Sequence, residues 1–318
     1  MKNKLELPIL ITGSSGFIGS NLLRYFVNKE VKTKLILRKN SNTWRINDLI
    51  NTKHVEVFEC DLHNKIKLNK LINKIKPMTI FHLAAYGAYS FQYNENLIKK
   101  NILDCSVNLL KSCLNQGFKI FINTGSNSEY GFKTKKMSEK DILVPNSFYA
   151  IYKSVVTNYC RFLSISKQIP IVTLRPFHVY GPYEEGYRLI PTLILTLLEN
   201  KMINLVSPNI SRDMIYIDDC IDLYIKVASS NNDFGSIFNV GTGKKTSIKK
   251  IVELAKKHTN NYLKPEWNTM KHKSWDQEIW LSDMSLVRQK LNWTHKISPE
   301  SGIKKTIVWM KKNQSLYK

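Results

Sequence analysis

The chain has no apolar run approaching the roughly 18 residues that a membrane span needs, and the reading is of a protein with no membrane partner. Its N-terminus, MKNKLELPILITG, has an apolar stretch interrupted by Glu6 and ended by a glycine turn. That pattern suits a first strand rather than a signal peptide. Cysteines are few: five in 318 residues, at 60, 105, 113, 160 and 220. They form no CxxC pair and no metal-ligand spacing, so no metal site is expected, and an odd, scattered set suits a reducing cytoplasm. Acidic residues are scarce too, 25 against 48 basic, which leaves a net charge of +23. Such an excess invites a nucleic-acid reading. Arginine argues against it, because only 8 of the 48 cations are arginine and the lysines spread along the whole chain. The expectation is no nucleic-acid partner and attraction of a polyanionic small substrate. Internal repeats and low-complexity linkers are also missing.

What is present is enough for a large core. The length fits one large domain or two fused lobes, and the hydrophobic fraction of 43% is that of a globular protein. Six apolar runs, at 7–12, 34–37, 55–58, 79–84, 119–124 and 171–174, read as strands buried on both faces of a parallel sheet. Between them lie helix-like segments such as FIGSNLLRYFVNK, KLNKLINKIK and NENLIKKNILDCSVNLLKSCLNQ. This alternation predicts an α/β fold, a doubly wound parallel Rossmann sheet. After about residue 178 the rhythm breaks. The expected division is a dinucleotide-binding domain over 1–178, completed by about 214–242, and a smaller mixed α/β substrate lobe over 179–318.

The first turn, ITGSSGFIGS, sets Gly13, Gly16 and Gly19 directly after strand one and at the start of a helix. Such a turn lets backbone approach a pyrophosphate, and the helix N-terminus offers free N–H groups. The stretch LRKNSNTWR that follows strand two carries three positive charges and no negative one. A YxxxK pair marks a tyrosine whose ionisation a lysine can assist, but the pair alone is uninformative here. With 15 tyrosines among so many lysines, chance supplies about two, and there are two: Tyr25/Lys29 and Tyr149/Lys153. Position separates them. Tyr25 lies on the first helix, whereas Tyr149 follows Ser126 by 23 residues and opens a new helix. Four-residue spacing puts Tyr149 and Lys153 on one helical face. A free tyrosine has a pKa near 10, and an adjacent ammonium favours its phenolate, so that it can exchange a proton near neutrality.

The GxxGxxG spacing and the motifs that follow it resemble the extended short-chain dehydrogenase/reductase family, which comprises NAD(P)-dependent nucleotide-sugar epimerases, dehydratases and reductases. Matching segments run in order along most of the chain: CDL (60–62), HLAA (82–85), Asn101 in a helix, NTGSNSEYG (123–131), YAIYK (149–153), LRPFHVYGP (174–182), SRDMIYIDD (211–219) and FNVGTGK (238–244). The resemblance implies Ser126, Tyr149 and Lys153 as catalytic residues. It implies a cofactor site from Gly13, Ser15, Gly16, Phe17, Ile18, Gly19, Asp61, Leu62, Leu83, Ala84, Ala85, Asn101, Tyr149, Lys153 and Pro176, with Asp61 on the adenine. For the nucleoside-diphosphate sugar it implies Ser126, Asn127 and Arg212, with Arg188 and Lys273 as weaker candidates. His178 stands where many relatives have asparagine; a diphosphate contact and simple packing both remain open for it. Arg212 either holds the diphosphate or pairs with Asp213 at the surface. The helices near 94–116 and 146–167 are expected to pair in a homodimer.

Three reactions belong to this family. Dehydration is disfavoured, because Asn127 and Ser128 stand where dehydratases place acids; Glu129, one step further on, stays open as an acid/base. Between 4-epimerisation and net reduction, the basic stretch decides. An acidic residue after strand two suits NAD, whereas Arg38, Lys39 and Ser41 suit the 2′-phosphate of NADP(H). NADP(H) is therefore the preferred cofactor and NAD(H) the alternative. The favoured expectation is an NADPH-dependent reductase of a 4-keto (deoxy)hexose on a nucleoside diphosphate, similar to the CDP-abequose synthase branch, serving surface polysaccharide. An NAD-dependent 4-epimerase is the alternative. From another class comes an idle Rossmann protein that senses NADP(H) or binds RNA.

Overall fold

The computed structural model describes residues 5–89, 91–133, 135–201, 204–270 and 279–317. Along the chain come β1 (Ile9–Thr12), α1 (Phe17–Asn28), β2 (Thr33–Leu37), β3 (Val55–Glu59), α2 (Lys65–Ile75) and β4 (Thr79–His82). Then follow α3 (Glu95–Lys99), a π-helical segment (Lys100–Asp104), α4 (Cys105–Gln116), β5 (Ile120–Thr124), α5 (Phe148–Lys167) and β6 (Ile171–Pro176). The remainder holds β7 (His178–Tyr180), α6 (Leu189–Leu198), β8 (Ser211–Arg212), β9 (Met214–Tyr216), α7 (Ile217–Ala228) and β10 (Ile237–Val240). It ends with β11 (Thr246–Ser247), α8 (Ile248–Thr259), β12 (Ile279–Trp280), α9 (Ser285–Leu291) and α10 (Pro299–Lys312).

Two compact units emerge: Met1–Gly131 with Ile142–Pro176 and Ile221–Phe238, and Phe132–Asp141 with Phe177–Cys220 and Asn239–Lys318. The first is built on a seven-stranded sheet of order β10-β6-β5-β4-β1-β2-β3. From β3 to β6 every pairing is parallel. All six apolar runs of the first half are thus strands, and the fold is α/β. β1, β4, β5 and β6 are buried at every position. β3 lies at the edge and shows its glutamates to solvent, which blunts further strand addition. Ile80 and Phe121 of the sheet share a core with Leu68 and Ile72 of α2, Leu109 and Cys113 of α4, and Val156 and Cys160 of α5. The order reverses at β1 and β4, and the ends of those strands are where a doubly wound sheet binds its ligand.

The helix expected through NENLIKKNILDCSVNLLKSCLNQ is interrupted. Asn94 caps its start by accepting the Leu97 N–H at 3.0 Å, but Lys100–Asp104 wind as a π-turn. Asn101 Nδ2 donates to the Leu97 carbonyl at 2.8 Å, and Ser106 Oγ donates to the Ile102 carbonyl. Side-chain donors thus take one carbonyl before the widened turn and one within it.

In the second unit β8 lies between β11 and β12, and β7 pairs in parallel with β9. The Asp213 carboxylate ties these pieces together. It accepts from Thr242 N–H (2.7 Å), Thr242 Oγ1 (2.6 Å), Gly243 N–H (2.9 Å), Ser282 N–H (3.0 Å) and the Ser282 hydroxyl.

Candidate active site

The glycine turn is held to the end of β4. Gly13 has φ +73°, and a Cβ there would stand 2.5 Å from Ala84 N; one on Gly19 would stand 2.1 Å from the Gly13 carbonyl oxygen. Only hydrogen fits at either place, so the turn lies flat against Leu83 and Ala84. Gly16 N–H donates to the Gly13 carbonyl at 3.0 Å. Gly16 also opens α1 without a side-chain cap, and the first turn holds no acidic residue. The helix itself therefore offers no carboxylate to compete with a pyrophosphate for the N–H groups at its start. These residues fit a dinucleotide.

The basic stretch behaves in two ways. Arg38 is exposed; its backbone N–H donates to Ser41 Oγ at 3.0 Å and its guanidinium to Asn101 Oδ1 at 3.3 Å. Lys39 is exposed beside it. Arg38, Ser41 and Asn101 therefore meet, although Asn101 lies 63 residues beyond Arg38 in the sequence. Arg45 has turned inward. It is buried, lies over the Trp44 ring at 4.2 Å, and directs Nη1 to the Ser15 carbonyl at 3.4 Å. Arg24 binds the Arg45 carbonyl at 2.6 Å and both oxygens of Asp48. One of the three positive charges thus braces the glycine turn, a role the sequence does not signal. Asp61 is exposed and accepts the His63 N–H at 2.9 Å, while Leu62 is buried. Leu83 and Ala84 are half-buried, Ala85 is exposed, and Pro176 closes β6 in a buried position.

The catalytic candidates stand on β5 and α5. Ser126 follows β5 in extended conformation; its Oγ accepts the Ser128 N–H at 3.1 Å while its own N–H donates to Glu129 Oε1 at 2.8 Å. This reciprocal cap is what Ser-x-x-Glu encodes. Glu129 is fully buried. Its Oε1 also accepts from Thr157 Oγ1 at 3.0 Å, and its Oε2 from Arg175 Nε at 2.8 Å. The carboxylate left open as an acid/base is committed to holding the Ser126 turn. The signature S-N-S-E is visible in the sequence, but there Glu129 reads as a possible acid/base rather than as a cap.

Ser147 caps α5 by accepting the Ala150 N–H at 3.2 Å, which sets Tyr149 in the first turn and Lys153 one turn further on. Lys153 Nζ donates to the Thr124 carbonyl at 2.7 Å and lies 5.9 Å from the Tyr149 ring centroid. Burial pulls the Lys153 pKa down to about 8, against the opposing pull of Glu129. Tyr25, by contrast, stands edge-on to Phe26, and Lys29 is an exposed C-cap. Beneath the site His82 lies between Thr12 Oγ1 (2.7 Å) and Ser106 Oγ (2.8 Å). Burial first, then the Lys153 charge, lowers its pKa to about 3. It is a neutral imidazole.

The second unit carries the other candidates. His178, on β7, is a neutral imidazole held well below its ordinary pKa by burial, then by Arg212 and Arg188. Its ring meets Trp280 edge-on at 6.4 Å, and its buried Nδ1 has no hydrogen-bond partner among the described residues. Arg212 is buried in β8 and donates Nη1 to the Ser211 carbonyl at 3.0 Å, and Arg188 precedes α6 as its N-cap. The alternative of a surface ion pair between Arg212 and Asp213 does not hold, because Asp213 is fully buried and saturated by the donors named above. Lys273 lies outside the described residues.

The known proteins that this chain resembles include a dehydratase, a synthase and an epimerase. The chain is 26% identical to the dTDP-D-glucose 4,6-dehydratase of Dictyostelium discoideum, covering 100% of this chain and 85% of that protein. It is also 26% identical to the CDP-abequose synthase of Salmonella muenchen, over 94% of this chain and 96% of the relative. Among solved structures, the UDP-glucuronic acid 4-epimerase of Bacillus cereus, in complex with UDP-glucuronic acid and NAD, superposes with a TM-score of 0.86 at 25% identity. That match covers 96% of this chain and 100% of the other. Residues 9–241 match the NAD dependent epimerase/dehydratase family. With the glycine turn, the parallel sheet and the Ser126, Tyr149 and Lys153 set in the same span, the chain belongs to that family of oxidoreductase-type enzymes.

Proposed function

We propose that the protein is an NADPH-dependent reductase of a 4-keto (deoxy)hexose carried on a nucleoside diphosphate. One observation carries the choice of cofactor: β2 ends with no carboxylate, and the exposed Arg38 sits with the Ser41 hydroxyl and Asn101. A planar guanidinium beside a hydroxyl suits a phosphate monoester. A carboxylate at that place would instead suit the bare ribose of NAD.

When bound, the nicotinamide supplies the hydride to the keto carbon. The Tyr149 hydroxyl gives its proton to the sugar oxygen as that carbon is reduced, and Ser126 donates a hydrogen bond to the same oxygen. The buried Lys153 ammonium, 5.9 Å from the Tyr149 ring, favours the phenolate that remains. Its fixed place on the Thr124 carbonyl keeps its own charge from wandering to solvent. The Ser126 segment supplies no free carboxylate for elimination across C5–C6, since Asn127 and Ser128 are neutral and Glu129 is bound on both oxygens. In the second unit Arg212 and Arg188 offer positive charge for a diphosphate, and the unpartnered Nδ1 of His178 offers a third polar contact.

The test is a pair of dissociation constants. Wild type should prefer NADPH to NADH, and Arg38→Ala should weaken NADPH while barely changing NADH. A charge-assisted hydrogen bond worth roughly 1.5–3 kcal/mol sets the loss at about ten- to a hundredfold. Equal affinity of the wild type for both cofactors would leave the NAD-dependent 4-epimerase as the better reading, in keeping with the NAD held by the Bacillus cereus enzyme.

A further inference from the structure

Three metal-ligating side chains from distant parts of the first unit converge. Asp61 and His63 lie on the turn after β3, and Cys105 is the first residue of α4, where the chain leaves the π-segment. Cys105 Sγ lies 3.3 Å from His63 Nε2, and one donor atom from each of the three residues falls within 4.8 Å of the others. We propose that Asp61, His63 and Cys105 bind a thiophilic divalent transition metal ion of the zinc class, and that its occupancy competes with the dinucleotide.

Geometry is the first support. Zinc binds sulfur at about 2.3 Å and imidazole nitrogen at about 2.0–2.1 Å, so tetrahedral ligands of these kinds stand about 3.5 Å apart. The sulfur and the imidazole already nearly meet that separation. The third ligand is tied to the second, because Asp61 Oδ1 accepts the His63 N–H at 2.9 Å. Asn108 Nδ2, one turn beyond Cys105, donates to the Leu62 carbonyl at 3.0 Å and fixes α4 to the same turn. Chemistry is the second support. A thiol, an imidazole and one carboxylate form a soft-to-borderline set, unsuited to magnesium or calcium, which want oxygens. Three protein ligands leave a fourth position for water.

Charge also balances. Binding an ion displaces the thiol proton to solvent, and the divalent charge is neutralised by one thiolate and one carboxylate. The cysteine spacings concealed this group because Cys105 lies 42 residues beyond His63 and is the one cysteine among the three.

The competition rests on the cofactor reading above, in which Asp61 contacts the adenine; an ion on that carboxylate removes it from the cofactor. The experiment uses the full chain, free of any affinity tag and stripped with chelator, titrated with Co²⁺ and separately with Zn²⁺. Wild type should take one equivalent and show a thiolate-to-cobalt charge-transfer band in the near ultraviolet. Cys105→Ser should lose the band, and both Cys105→Ser and His63→Gln should bind the ions more weakly. Outer-shell partners alone are worth about 10–100-fold in affinity, so a lost ligand should cost at least that. Without metal, both variants should turn over as wild type does. Zn²⁺ should weaken dinucleotide binding by wild type but not by Cys105→Ser. No band in wild type, or unchanged binding in Cys105→Ser, would overturn the site. A band with undiminished dinucleotide affinity would overturn the competition and leave the site standing. A metal-free wild type that binds no dinucleotide would instead overturn the cofactor reading.

Discussion

At the scale of single residues, the proposed chemistry rests on the Tyr149 hydroxyl and the nearby Lys153 ammonium. Tyr149→Phe removes the proton donor but keeps the ring that lies near Lys153. Folding and cofactor binding should survive, and kcat should fall by about two to four powers of ten, the worth of a positioned acid/base. Tyr25→Phe is the control and should change almost nothing, since the Tyr25 ring stands edge-on to Phe26 on α1. Steady-state kinetics on both variants decides the matter; a damaged Tyr25 variant with an intact Tyr149 variant would relocate the site. Residue-scale reading of the sequence separated these two tyrosines by position alone. It missed what Glu129 does, because a carboxylate near a serine reads as chemistry until its partners are known. Arg175, 46 residues away, turns it into a strut.

At the scale of elements, His82 joins β1 to β4 and α4 through Thr12 and Ser106. Its pKa is depressed from 6.5 to about 3 in the fold. Below 6.5 the unfolded chain takes a proton that the folded chain refuses. The stability this group contributes is therefore complete above 6.5 and is lost as pH falls from there toward 3, at about 1.4 kcal/mol per pH unit. Urea unfolding of wild type and His82→Gln at pH 7, 5.5 and 4.5 measures it. The advantage of wild type over the variant should shrink with each step down; a gap that stays constant would mean His82 is not held neutral. Elements were the most legible level of this chain, since buried strands and amphipathic helices impose their own periods. The π-turn at Lys100–Asp104 is the exception. Apolar spacing does not record which carbonyl a side-chain amide will take.

At the scale of the molecule, one surface is left with more apolar area than a lone chain would need. Phe148, Ile151, Val155, Phe162 and Ile165 are exposed on α5, spaced three, four, seven and three apart, which makes one stripe along the helix. Leu97 of α3 is exposed too. A stripe of this kind suits burial against a second copy across a two-fold axis. Light scattering at micromolar concentration should give twice the 37.0 kDa of the chain, and Val155→Glu should give a single chain with its Tyr149 chemistry weakened or lost. A wild type that runs as one chain would remove the dimer. What the sequence determined by itself was whatever is local: six strands, their helices, the glycine turn and the position of Tyr149 and Lys153, because periodicity and turn chemistry act over a few residues. Tertiary structure alone decided which distant groups meet. Arg175 reached Glu129, Arg38 reached Asn101, Arg45 turned under Ser15 rather than outward, and Cys105 came to lie beside His63. Parallel strands need long crossovers, so neighbours in this sheet stand dozens of residues apart in the chain, and no local pattern names them.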